Sequence, residues 1–584
     1  MAAIPSQSEV AVKPARPYGA IAVWSAVWFA VAWSMAVSLC AQEAATPMHT
    51  GVPQDWSQQH IVFSRDGLAR HPDLIYREPR VLQQAMQRWQ APKFGAFDGS
   101  EPVPAGADNS GAHGDWSVPS GGRMLINQYP AKFSFNPGAP PDCTSDYVVF
   151  GLNVTSTGTV GNLVAFNNLY AGVTPTGLCG TAPTVLFAYD ITTVTGGKIA
   201  TSPVVSELGD KIAFVESVPA NAGLGITAQS IFHVLTWANV GTIGGAAAPG
   251  ASMVSVPLPG SKNDITSSPW IDYHPDTAYV GSATGVIYKI TGAFRGTPTL
   301  DTTAPWPVTV IANSALTSPV LDSSLGKLMV GAANGILYQV DASTGVVAAA
   351  HLIVGTGGGA TKAILAAPIV DVTNGTTFVV SANSVLTGAA SAVLVEADTA
   401  TVGLLAAVNI GQGSSAGGAV DLYQPALDNN YYNKPSTGFI HLCGTGPADT
   451  TPYHYTFGFT VPVAQPILNA IPTVHQQLPT VPAGTTAGCT GWTEFFNPNI
   501  GTGGTDFFFF GLNQACTAAG TAGGCVEELA INGGTTTPLA KVVNGGPTGV
   551  VVDNYSSDAQ ASSIYFGARL GPGTAYKMTQ AGLN

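Results

Sequence analysis

Charge is scarce in this sequence: Asp, Glu, Lys and Arg together make up 9% of its 584 residues. Chains held open by self-repulsion need the reverse, so an intrinsically disordered class is excluded. Basic residues are the scarcer sign, 21 against 34 acidic, for a net charge of −13. Beyond residue 100 the balance is 13 basic to 27 acidic. Such a surface repels phosphate backbones, which argues against nucleic acid and makes a cation or a basic partner electrostatically easier. Cys-x-x-Cys, adjacent cysteines, His-Glu-x-x-His and the EF-hand pattern do not occur. Their absence argues against thiol redox chemistry, a zinc-protease helix and a calcium loop. The glycine run at 357–359 lacks the Lys-Ser/Thr of a phosphate loop and reads as an ordinary loop.

Long apolar runs are also rare, with one clear instance. Lys13 and Arg16 precede an apolar stretch over residues 20–39, followed by CAQEAAT. A basic start, an apolar centre and small or polar residues after it predict a secretory signal within residues 1–45. The stretch is long enough to span a bilayer, so an uncleaved N-terminal anchor is the alternative. Membrane contact is expected through this segment alone. Leu39 stands where a lipobox needs a small residue before Cys40, which disfavours lipidation. Six other cysteines remain: Cys143, Cys179, Cys443, Cys489, Cys516 and Cys525. An even number in an exported chain favours disulfides, and order along the chain suggests 143–179, 443–489 and 516–525. The expected location is periplasmic, cell-surface or secreted.

Residues 46–125 form an extension distinct in character from the remainder of the chain. Residues 78–89 (EPRVLQQAMQRW) read as an amphipathic helix, with Pro79 in its first turn. Val81, Leu82, Ala85, Met86 and Trp89 share one face at helical spacing, which predicts packing on the body of the protein, with partner docking as the alternative. Residues 95–122 are rich in Gly, Ser, Pro and Asp, and read as loop.

From 126 to 584 the chain repeats itself. ITSSPWIDYHPDTAYVGSATGVIYKITG (265–292) and LTSPVLDSSLGKLMVGAANGILYQVDASTG (316–345) share one frame: a Ser-Pro start, a short apolar strand, an Asp turn, a strand ending in Gly, a tight turn and a third strand. The frame recurs at Thr201, Ala366 and Tyr423, so that anchors Ser202, Ser268, Ser318, Ala367 and Gln424 stand 66, 50, 49 and 57 residues apart. That period fits one four-stranded blade with loops of varying length. Strands ending FGLN at both 150–153 and 510–513 extend the array outward. Starts at 132, 202, 268, 318, 367, 424, 493 and 549 predict an all-β propeller of eight blades, with seven as the alternative count. The last unit supplies three strands, so one from the N-terminal side, at residues 124–128, is expected to close the ring.

The third strands VIYKITG, ILYQVDASTG and VLFAYDITT resemble the repeat of quinoprotein-like propellers. That resemblance implies the propeller fold. Members include dehydrogenases that bind pyrroloquinoline quinone and calcium, and scaffold proteins without a cofactor. The adjacent cysteines beside the quinone have no counterpart here, nor do tryptophans in register after each Thr-Gly, so no quinone is expected.

Asp272, Asp322, Asp371 and Asp428 each follow the anchor proline, or its equivalent, by three residues. A ring of carboxylates at a channel end would attract calcium, whereas Asp at a strand end ordinarily caps the next turn, which is the favoured reading. No cofactor is predicted. His233, His274, His441 and His454 fall in no ligand motif, and Trp237, Trp270, Trp306 and Trp492 are expected in the core rather than on a sugar-binding face. Two functional classes remain: an exported, non-catalytic binding or scaffold propeller for a protein or glycan partner, and a propeller enzyme with a channel-mouth site acting on a glycan or using a bound cation.

Overall fold

The computed structural model describes residues 51–90 and 113–579, apart from 137–139, 156, 158, 173–176, 357–361, 417–419, 462–464, 498–502, 518–522, 533–534, 544 and 554–559. The expected signal at 1–45 lies outside the described residues. Among the described residues no helix is long and apolar enough to cross a membrane.

The strands form eight sheets, one per blade, each antiparallel within its blade. Their innermost strands are Ala131–Ser134, Val204–Val205, Trp270–Asp272, Val320–Asp322, Ile369–Asp371, Ala426–Leu427, Thr493–Asn497 and Val551–Asp553 for blades 1 to 8. Each begins within two residues of the start given by the repeat. Apolar layers fill the gaps between neighbouring blades: Phe133, Tyr147, Phe187 and Phe214 between blades 1 and 2, and Trp492, Phe508 and Phe510 between blades 6 and 7. The fold is an eight-bladed β-propeller, which removes seven from the count.

The Thr/Ser-Ser-Pro signature has a hydrogen-bonding reason. Its first hydroxyl accepts from the neighbouring strand of the same blade: Ser267 Oγ from Gly281 N (2.9 Å) and Thr317 Oγ1 from Gly331 N (3.0 Å), and the threonines of the Thr-Gly pairs at the same place in blades 7 and 8 do likewise, Thr490 Oγ1 from Gly511 N (2.7 Å) and Thr548 Oγ1 from Gly567 N (3.0 Å). The second works between blades. Tyr129 N donates to Ser202 Oγ (2.9 Å), Ser202 N to Ser268 Oγ (2.8 Å) and Ser268 N to Ser318 Oγ (2.7 Å). The proline that follows has no N–H to satisfy. The glycines that donate these bonds are required by close approach of the next blade: a Cβ at Gly281, at the end of its strand, would lie 2.9 Å from Thr317 O, and one at Gly511, within the strand Thr505–Cys516, would lie 2.2 Å from Pro547.

The ring closes with a strand from the N-terminal side, but not the expected one. His113–Pro119 pairs antiparallel with Thr574–Thr579 as the outermost strand of blade 8. Part of 46–125 therefore belongs to the last blade and is not extension alone. Asp115 and Lys577 bury an ion pair across this seam, and Thr579 Oγ1 donates to Asp115 Oδ2 (2.5 Å). Trp116 packs near Tyr565 and gives its indole N–H to Leu169 O (3.0 Å). Residues 124–128 instead make a turn in which Gln128 Nε2 donates to Gly151 O (2.7 Å) and Thr201 O (2.9 Å). A second buried pair, Lys132–Asp553 (2.9 Å), joins the innermost strands of blades 1 and 8.

Residues 51–90 occupy one end of the central channel. Val52–Gln54 adds antiparallel to the innermost strand of blade 1, and Ile61–Val62 adds parallel to that of blade 5. Trp56 meets Trp270 of blade 3 edge-on at 5.8 Å, Phe63 meets Tyr432 of blade 6 at 5.2 Å, and Gln59 Nε2 donates to Val550 O before blade 8 (2.9 Å). Three short helices come next, Arg65–Arg70, Leu74–Arg77 and Pro79–Gln90. The last is the helix expected from sequence, yet its buried face differs. Val81 and Ala85 are buried as expected, Met86 is 44% exposed, and Arg80, Gln84 and Arg88 turn inward at intervals of four.

Replacing Ser268 with Ala leaves the N–H of Ser202 buried without its acceptor. Unfolding in urea is expected to show a loss of about 1–3 kcal/mol, with the slope unchanged.

Candidate functional site

The two ends of the channel differ in chemistry. The innermost strands all run the same way, so their C-terminal residues gather at the plugged end, and this is where the four aspartates lie. Asp322 Oδ1 accepts from Ser324 N (2.9 Å) and Leu325 N (3.0 Å), and Asp371 Oδ1 from Thr373 N (2.9 Å) and Asn374 N (2.9 Å). Asp428 Oδ1 caps a short helix through Tyr431 N (3.0 Å) and also takes Phe439 N (2.8 Å). Asp371 Oδ2 accepts the Tyr431 hydroxyl (2.7 Å). Asp272 faces Glu78 and Arg80 of the plug: burial and the Glu78 charge push it up to about 6, and Arg80 pulls the other way. Burial likewise raises Asp322 to about 6. Each carboxyl serves its own turn or helix end.

The plug arginines answer this acidic rim. Arg80 lies 4.1 Å over the Trp270 ring, pairs with Glu78 (2.7 Å), and donates to Ser57 Oγ (2.7 Å) and Ile271 O (2.9 Å). Arg88 lies 3.6 Å over Tyr432, and donates to Asn429 Oδ1 (3.2 Å) and to both oxygens of Glu494. Glu494, Asp428 and Asp506 repel one another, and burial together with that repulsion raises Asp428 and Asp506. Arg88 is the cation set against this acidic trio.

At the opposite end lies a cavity of about 630 Å³. Its wall is made where the innermost strands begin and their neighbours end: Arg123 and Asn127 before blade 1, Thr266 before blade 3, Leu365 before blade 5, Tyr423 before blade 6, and Arg569 in blade 8. No Asp, Glu or His is among the described lining residues. Arg569 is half-buried and held below its ordinary value by that burial, with Tyr423 and Asp421 nearby pulling it back up. Sequence reasoning missed this site, because Arg123 and Arg569 stand 446 positions apart and belong to no motif.

The remaining sequence candidates sit elsewhere. His233 is buried in blade 2, with Nε2 3.0 Å from buried Glu216 and Nδ1 2.9 Å from Ser255, which is exposed. None of the three lines the cavity. His441 and His454 stack with their ring nitrogens 3.2 Å apart, and burial lowers both, His454 to about 4. His274 is exposed. Trp270, Trp306 and Trp492 are buried, and Trp237 donates to Gly209 O (2.6 Å) beside Tyr147. A Gly-x-Ser-x-Gly string occurs at 413–417, but Ser415 sits in the 3-10 turn Gly413–Ala416 and donates to Gln412 O, and among the described residues no helix follows it as a nucleophile elbow requires. The six cysteines form three disulfides, 143–179, 443–489 and 516–525. Among the described residues, the metal-spaced cluster of His, Cys, Asp or Glu is Cys516, Cys525 and Glu527, and its two sulfurs are committed to a disulfide.

No family model matches the chain, and no curated protein does. Among solved structures, BamB from Moraxella catarrhalis is similar at 12% identity, covering 80% of this chain and 99% of that one, with a TM-score of 0.42. The Dos1 propeller aligns at 11% identity over 80% of this chain and 95% of its own, with a TM-score of 0.45. The computationally designed Ika8 protein aligns at 12% identity over 80% and 99%, with a TM-score of 0.42.

Replacing Arg88 with Ala leaves Glu494 buried without its partner; the chain is expected to lose about 3–5 kcal/mol in thermal or urea unfolding. Replacing both Arg88 and Glu494 with apolar residues of similar volume is expected to cost much less. Asp322 yields a pH test. Its folded value lies above the ordinary 3.8, so its contribution is fully present below that value and is lost as pH rises to about 6. Asp322→Asn should therefore flatten the stability profile over that window. The difference between the two proteins is expected to change by about 2 kcal/mol between pH 4 and pH 7.

Proposed function

We propose that this chain is an exported, non-catalytic binding module whose ligand enters the central channel at the Arg123–Arg569 mouth. One observation carries the reading: the chain's own residues 51–90 occupy one end of the channel, and a cavity of about 630 Å³ remains at the other. The volume suits a small ligand or the end of a larger one. The lining favours binding over glycan chemistry, because glycoside hydrolysis uses a pair of carboxylates and the described lining supplies none. Export is supported by the basic and apolar start of the chain and by three disulfides, which persist in oxidising compartments. Within propellers, the strand repeat resembles the quinoprotein-like group, on the side of its cofactor-free scaffolds. A protein partner fits this mouth better than a glycan, since the aromatic side chains that stack on sugars are largely buried.

The test is to fill the cavity. Thr266 is exposed at its rim, and Thr266→Trp should leave the fold intact while obstructing the mouth. Peptide and glycan libraries are screened against both proteins. Ligands that bind the parent chain are expected to be lost with the Trp variant; ligands retained by it would place the binding site elsewhere.

A further inference from the structure

We infer that the channel mouth recognises a carboxylate attached to an apolar group, with Arg123 and Arg569 as the recognising pair. This rests on the channel-mouth reading above and specifies its ligand.

The first ground is an imbalance of partners. Arg77, Arg80 and Arg88 each face a carboxylate, Arg70 donates to the Asn374 side chain, and Arg295 donates to the carbonyls of Tyr273 and His274. Arg123 and Arg569 form no ion pair and no side-chain hydrogen bond with any described residue. They are also the two arginines that line the cavity.

The second ground is the field. The chain has a net charge of −13, yet no Asp or Glu is among the described lining residues. The carboxylate that influences Arg569 is Asp421, which is exposed and stands outside the lining. The mouth is thus a basic spot on an acidic molecule, which draws an anion in and leaves most of the remaining surface repelling it. Arg569 has lost part of its hydration to burial without gaining a paired oxygen in return, a cost that a bound anion offsets.

The third ground is the shape of the donors and walls. A guanidinium presents a planar fork that fits a carboxylate through two parallel bonds. Asn127 adds an amide in the same wall. Leu125, Ile126, Leu365 and Leu570 supply apolar surface beside these polar groups. Inorganic phosphate would satisfy the arginines and leave this surface unused. An apolar carboxylate uses both. Such a group is found at the C-terminus of a polypeptide and in small organic acids.

The experiment uses the full chain and fluorescein-labelled pentapeptides ending in Leu, Phe or Val, each made as the free acid and as the C-terminal amide, with unlabelled hexanoate as competitor. Fluorescence anisotropy is read at low and high salt. Free acids are expected to bind about ten-fold more tightly than the amides at low salt, with the difference shrinking as salt rises. Arg569→Ala and Arg123→Ala should each remove most of that difference, and Arg569→Lys should restore part of it; unchanged melting curves establish that the variants are folded. Competition by hexanoate identifies a small organic acid as a sufficient ligand, and binding that resists it identifies a peptide terminus. Equal affinity for acid and amide, or free-acid binding that survives loss of both arginines, overturns the inference. So does an absence of free-acid binding at concentrations up to about 1 mM, where the affinity would be too weak to matter. The two readings fail differently. Acid and amide peptides that bind equally, and are both lost in Thr266→Trp, keep the mouth as the site and remove the carboxylate. Peptides that bind Thr266→Trp unchanged remove the mouth itself.

Discussion

Asp115 and Lys577 meet in the seam of the ring with neither side chain exposed to solvent. A propeller is a circle of sheets, and a circle must be joined somewhere along a single chain. Here the join is made twice. The outer strand His113–Pro119 lies on Thr574–Thr579 with the Asp115–Lys577 pair beneath it, and Lys132 reaches Asp553 between the innermost strands of blades 1 and 8. Burying two charges stabilises little by itself, because lost hydration offsets the attraction. Leaving either charge alone is costly, and that asymmetry makes the pair a device for register. A slip of one residue along the closing strand would turn Asp115 to the other face of the sheet and strand Lys577 in the core.

The seam gives the molecule unequal ends. The chain crosses the channel before it supplies the closing strand, so residues 51–90 fill the end where the innermost strands finish. The aspartates at that end are drawn into turns and helix caps, and the plug contributes Arg80 and Arg88 where carboxyls would otherwise crowd. The far end keeps its cavity and its two arginines. A near-symmetric repeat thereby acquires one closed and one open face through a segment that is no part of the repeat.

What could be read from the sequence depends on the range of the interactions involved. Blade starts were legible because each Thr/Ser-Ser-Pro satisfies bonds of a repeated kind, such as Ser267 to Gly281 and Thr317 to Gly331, and so recurs in recognisable form. Disulfide pairing was legible because each bridge joins neighbours in the cysteine order. The closing strand was not. HGDWSVP carries glycine, proline and aspartate, reads locally as loop, and becomes a strand because residues 574–579 lie beside it. The helix at 79–90 was visible, but its buried polar row was not, since Arg88 turns inward only on account of Glu494, 406 residues away. The arginines of the mouth lie in no pattern at all, and only closure of the ring brings them to one wall.

The plug also fixes an order of events. Every blade it touches is encoded after it; the hydrogen bond from Gln59 to Val550 alone spans 491 residues. A chain that emerges from its N-terminus presents Trp56, Ile61, Val62 and Phe63 long before blades 5 to 8 exist to cover them. Contacts of such separation form late, because the loops they close are long. A segment made before every blade is therefore one that must be kept soluble until the last of them forms, and its seating reports that the circle is complete.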